Sequence, residues 1–162
     1  GTYPLPEAQL DRFFMQIDVD YPDLKAEKNI LIRTTGASDD SPSQLMDGKA
    51  LLRSQSLVRH IPVGEKIVES ILNLVHEGRP SYSKIEEVRS FVSWGPGPRA
   101  GQALMLGVRA RALMDGRLAP SIDDVINLAH PILRHRMALS FSARAEGISM
   151  EKIISKLCER IS

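Results

Sequence analysis

A change of hydrophobic period near the start of the chain constrains its fold more than any other feature. Met15, Ile17, Val19 and Tyr21 alternate with Gln16, Asp18 and Asp20, the pattern of a half-buried strand. No second strand pattern follows. A strand needs partners for its N–H and C=O groups, and one alone is not stable in water. The expected class is therefore mainly α, a multi-helix domain preceded by one orphan strand. Ahead of the strand, Pro6 suits a first helical position and Glu7 the anion-favouring end of a helix. That predicts barely two turns over 7–12.

Beyond the strand the spacing is helical almost throughout. Asp23 caps a predicted helix to about Thr34, stopped by Gly36. GASDDSPSQLMDG (36–48) is a loop, interrupted by Pro42. Helices are then predicted over 49–60, 65–77 and 82–94, with Pro62-Val63-Gly64 and Gly78 as breaks. Gly97 and Pro98 resemble an N-cap and first helical residue for a helix running to Asp115. Its stripe Ala100, Ala103, Leu104, Gly107 and Val108 suits close helix packing. Ser121 with Asp124 forms a capping-box-like start. Pro131 should end or sharply bend that segment near His130, with ILRHRMALSFSARAEG resuming it. Residues 150–161 form the last predicted helix.

Composition narrows the function classes. Of 162 residues 43% are apolar and 25% charged, and the net charge is +1, so no global basic field draws nucleic acid or membrane. The distribution is less even. Seven arginines face three acids between Arg89 and Arg136, and 89–114 beyond its first arginine holds no acid. The lone Cys158 forbids an intrachain disulfide. His60, His76, His130 and His135 lack sequence-local metal-ligand spacing, so no metal site is expected in this piece. With no membrane-span run and no signal-peptide pattern, a cytoplasmic protein is expected.

Candidate chemistry rests on arginines. Arg99 falls in the first turn of its helix, where a cation is mildly disfavoured while free N–H groups favour anions. Arginine and helix end together could face a phosphate; a solvated arginine at small cost is the other reading. Arg12 sits at the C-terminal end of a short helix, where a cation can cap carbonyls. Arg134 and Arg136 are a candidate second anion site, or else an exposed last-turn cluster. Trp94 is expected to pack.

Three ordered stretches carry a resemblance. GTYPLPEAQLDRF, from Gly1, resembles the segment after the fourth core strand in the MoxR family of AAA+ ATPases. GPGPRAGQALMLGVRARALMDGR (95–117) resembles that family's sensor-2 helix, usually written GASPRA or GPSPRA. PSIDDVINLAHPILRHRMAL (120–139) resembles the segment that follows it, PEDV…LAxPVLRHR. The resemblance implies that 1–21 is the C-terminal edge of an α/β ATPase core and that 22–162 is a helical lid. Arg99 would then be the sensor-2 arginine, with Gly97 and Pro98 in the nucleotide-binding turn. Arg12 would be an arginine finger offered in trans to a neighbouring subunit. No G-x-x-x-x-G-K-[ST] phosphate loop occurs in the chain. ATP and Mg²⁺ would thus belong to the full-length enzyme, and this piece alone is expected to hold neither and to be inactive. The family further implies a hexameric ring, remodelling or maturation of a client, and a von Willebrand factor A partner. The chain departs from the family in GPGPRA, which lacks the serine cap.

Two rival classes make different predictions. A helical protein–protein interaction module would tolerate loss of Arg12 and Arg99. A nucleic-acid binder using the 89–136 arginines would lose affinity steeply with salt; net charge and the 5% aromatic content weigh against it.

Overall fold

The computed structural model describes residues 3, 5–37 and 42–161. Gly1, Thr2 and Pro4 of the opening stretch, and 38–41 of the polar loop, lie outside the described residues. The chain is mainly α. Its helices are α1 (Glu7–Leu10), α2 (Leu24–Thr35), α3 (Gly48–His60), α4 (Glu65–Glu77), α5 (Glu86–Phe91), α6 (Pro98–Met114), α7 (Ile122–Leu133), α8 (Phe141–Ala145) and α9 (Met150–Cys158). Strands β1 (Val92–Trp94) and β2 (Ala138–Leu139) pair antiparallel. Two compact units result: one of residues 1–16 with 56–162, the other of 17–55.

The larger unit holds the core. Its buried residues come from α4 (Ile71, Leu74, Val75), α6 (Ala103, Leu104, Val108), α7 (Val125, Ile132, Leu133) and α9 (Ile154, Leu157). The small-residue stripe of α6 does what its composition suggests. A Cβ added at Gly107 would lie 3.0 Å from Leu128 Cδ1, so α6 and α7 pack closer there than a larger residue permits. Gly116, at φ +71, ends the turn after α6. The Ser121–Asp124 capping box starts α7 as expected.

Four expectations are corrected. Residues 15–21 form no strand in the described structure; Met15 packs on the core, but with no neighbouring sheet to supply a ladder Ile17, Val19 and Tyr21 stay out, Val19 at 90% and Tyr21 at 92% exposed. The helix expected over 82–94 is only α5, because Val92 and Trp94 leave it for β1. Their partners Leu139 and Ala138 lie over forty residues away, beyond the reach of local periodicity. The helix expected to resume after Pro131 is instead a 3₁₀ turn at Arg134–Arg136, then β2 and α8. Pro131 itself does not end α7, which continues to Leu133. Pro131 has no N–H to give the helix, and its carbonyl accepts a bond from Gln16 N–H at 2.8 Å.

The smaller unit, 17–55, is different in kind. Asp23 caps α2 by accepting from Ala26 N–H at 2.7 Å, yet α2 buries no residue. Ile30, Leu31 and Ile32 of α2, and Leu51 and Leu52 of α3, are each at least half exposed.

Candidate functional site

The site is built around the entry to α6. Gly95 approaches the backbone of Gly78–Arg79 so closely that a Cβ there would lie 2.6 Å from the Gly78 oxygen. Arg79 Nε donates to the Pro96 carbonyl at 2.9 Å, fixing the same crossing. Gly97 then adopts an extended N-cap conformation, Pro98 takes the first helical position, and Ala100 N–H bonds back to Gly97 O at 3.1 Å. No side chain caps the helix, as the missing serine leads one to expect. Arg99 projects from this first turn, its side chain 55% exposed, with Nη1 3.3 Å from Asp11 Oδ2.

Asp11 had no place in the sequence reading, yet it joins the parts. Its other oxygen, Oδ1, takes the Nε of Arg136 at 3.2 Å. Arg136 is only 2% exposed. Its guanidinium spends its remaining donors on four carbonyls: Asp11 O, Phe14 O, Ile132 O and, in a short contact, Phe13 O. His135 Nε2 lies 3.2 Å from the same Phe13 carbonyl. Carbonyls of the 11–14 turn that follows α1 are thus satisfied by residues more than 120 positions later. A charge buried this deeply must be paired and fully hydrogen-bonded, and this one is.

The consequence for Arg12 is direct. At the end of α1, Glu7 O, Gln9 O and Leu10 O already accept from the N–H groups of Asp11, Arg12 and Phe13, and the Arg12 guanidinium makes no hydrogen bond or ion pair among the described residues. It stands exposed beside a depression of about 360 Å³ that it lines with Gln9 and Phe13. Arg134 and Arg136 do not form an exposed pair. Arg136 is buried on the 11–14 turn, while Arg134 turns to Glu151, Nη2 to Oε1 3.4 Å. The expectation of an exposed last-turn cluster fails for Arg136 because its carbonyl partners lie elsewhere in the chain.

Electrostatics follow the burial. Desolvation pulls the Arg136 pKa below the ordinary arginine value, opposed by the Asp11 carboxylate. The His135 imidazole is pushed down by burial, with its Phe13 carbonyl contact opposing and the Arg136 charge adding to the depression. The basic stretch seen in the sequence is largely neutralised elsewhere: Arg111 and Arg117 converge on Asp124, at 3.1 and 2.7 Å. Beside the α6 entry, an apolar groove of about 680 Å³ runs between α4 and α6, bounded by Arg59, His76, Arg79, Pro98 and Met105. Among the described residues, no helix is long and apolar enough to cross a membrane.

Comparison with known proteins bears on the family and the fold. Residues 86–157 match the AAA lid domain. The chain is 34% identical to Chaperone MoxR1 of Mycobacterium tuberculosis across its whole length, covering 43% of that protein. It is 32% identical over 99% of its length to the uncharacterized protein YeaC of Bacillus subtilis, covering 48%. A crystal structure of a candidate ATPase from Cytophaga hutchinsonii superposes on all of the chain with a TM-score of 0.93 at 30% identity, covering 50% of that molecule. The chain therefore spans a little under half the length of the curated relatives it matches. With a lid-domain match over 86–157, whole-length similarity to a MoxR chaperone and superposition on a candidate ATPase, the chain is similar throughout its length to the MoxR family of AAA+ ATPases.

Proposed function

We propose that the chain is the C-terminal part of an ATPase in which residues 1–21 finish the nucleotide-binding core and 22–162 form the lid. ATP with Mg²⁺ is held by the full-length protein, and the 162-residue piece alone neither binds it firmly nor hydrolyses it. Arg12 is the arginine finger, reaching the nucleotide of the next subunit in a hexameric ring. Arg99 is the sensor-2 arginine, reporting the nucleotide state to the lid through the Gly97–Pro98 turn. Hydrolysis drives remodelling or maturation of a client protein in the cytoplasm, with a von Willebrand factor A protein as partner.

One observation carries this reading. Arg12 is exposed and, among the described residues, unpaired, on a turn whose carbonyls bond Arg136, and the Asp11 carboxylate of that turn also pairs with Arg99. A finger must keep its guanidinium free for the transferring phosphoryl group, and its backbone must not move. Against the rival reading of Arg12 as a carbonyl cap, backbone N–H groups occupy Glu7 O, Gln9 O and Leu10 O, and Arg136 occupies Asp11 O and Phe13 O.

The test is Arg12→Ala in the full-length protein. A finger in trans is worth about 10³–10⁵ in rate, so kcat should fall at least a thousandfold with nucleotide affinity and assembly retained. Mixing these protomers with ones inactivated in the phosphate loop should restore part of the activity, each supplying the half-site its neighbour lacks. Near wild-type hydrolysis by Arg12→Ala alone would sink the assignment.

A further inference from the structure

Arg136 carries five hydrogen bonds, a dense set for one buried charge among the described residues. Its fork reaches Asp11 Oδ1 at 3.2 Å, Asp11 O at 3.2 Å, Phe14 O at 3.2 Å and Ile132 O at 2.6 Å, together with Phe13 O. Three of those carbonyls flank residue 12 on both sides. The fourth belongs to α7, so the guanidinium rivets the 11–14 turn to the end of that helix. Asp11, one residue before Arg12, divides its carboxylate between Arg136 and Arg99.

We propose that Arg136 and Asp11 are positioning residues for Arg12: Arg136 fixes the backbone from which Arg12 projects, and Asp11 ties that backbone to Arg99 at the entry to α6. The inference rests on the reading of Arg12 as the finger. A single carboxylate then sets both arginines, and movement of Arg99 toward a nucleotide is felt one residue away from Arg12. Hydrophobic residues could pack this junction more cheaply than a buried ion pair. They could not satisfy four carbonyls at once, nor aim a neighbouring side chain. A misplacement of about 1 Å in a catalytic group costs about a hundredfold in rate.

The experiment uses the full-length assembled protein with Arg136→Lys. Lysine keeps the charge opposite Asp11 but has three donors in place of five and no planar fork. The expected result is a kcat 10- to 100-fold lower with KM for ATP within about twofold. Mixing with phosphate-loop-inactivated protomers should restore activity; mixing with Arg12→Ala protomers should not, because both lack the same half-site. A purely structural defect would depress both mixtures alike. Should Arg136→Lys fail to assemble, Asp11→Asn keeps an acceptor for Arg136 and every carbonyl bond while deleting the charge. It should show the same complementation pattern with a smaller loss. Near wild-type kcat in the assembling variant, beside an inactive Arg12→Ala, overturns the clamp and leaves the finger intact. A loss that phosphate-loop-inactivated protomers do not repair overturns it too. An active Arg12→Ala overturns the finger reading itself.

Discussion

Asp115 and Asp124 both bind Arg117, at 2.8 and 2.7 Å, yet they should differ sharply in what their loss costs. Asp115 is about half exposed, whereas the Asp124 side chain is 3% exposed. Asp124 also accepts from Ser121 N–H at 2.8 Å, capping α7, and from Arg111 Nε at 3.1 Å. Asp124→Ala removes a helix cap worth about 1 kcal/mol and charge-assisted bonds worth about 1.5–3 kcal/mol. Arg111 and Arg117 are 44% and 36% exposed, so they regain water and add no full burial penalty. The expected loss is about 2–4 kcal/mol, a fall of about 1–2 M in the urea midpoint. Asp115→Ala should leave the midpoint where it was, as a solvent-exposed pair does.

The pH dependence checks the cause. Burial works to raise the Asp124 pKa, but the Arg117 fork and the Ser121 N–H outweigh it, and the carboxyl sits below its ordinary value. A group with a depressed folded pKa contributes fully above its unfolded value, about 3.9, and loses that contribution as pH falls through the folded value. The midpoint difference between wild type and Asp124→Asn should stay constant from neutral pH to about pH 5 and close below about pH 4. Equal losses for Asp115→Ala and Asp124→Ala, or a difference that persists to the lowest pH at which the protein folds, would refute the reasoning.

Two glycines of one turn should behave oppositely. Gly95→Ala pushes a Cβ to 2.6 Å from a backbone oxygen and should cost about 1–3 kcal/mol in thermal unfolding. Gly97→Ser meets nothing within 4 Å and restores a hydroxyl cap, so it should be neutral or stabilising by a few tenths of a kcal/mol. Burial, with a smaller contribution from Glu159, pushes the Cys158 thiol up to about 11. Its reaction with a disulfide reagent at pH 8 should therefore follow the rate of unfolding; instant labelling of folded protein would contradict this.

Local chemistry made much of this protein legible in advance. The Gly97–Pro98 entry, the α6 stripe, the Ser121–Asp124 box and α4 are set by residues within a few positions of one another, so periodicity and capping reveal them. Arg12 and Arg99 were nameable because their helix ends and motif neighbours are adjacent in sequence. What the sequence could not show is where long-range partners fall. Val92–Trp94 becomes a strand because Ala138–Leu139 arrives beside it. Residues 15–21 do not become one, since alternation supplies faces but not a second strand to form a ladder with. Arg136 reads as one charge in a basic trio, yet it is buried, because the open carbonyls of the 11–14 turn are more than 120 residues away in sequence. A guanidinium's five donors declare how many partners it needs; only the folded chain decides which oxygens they find.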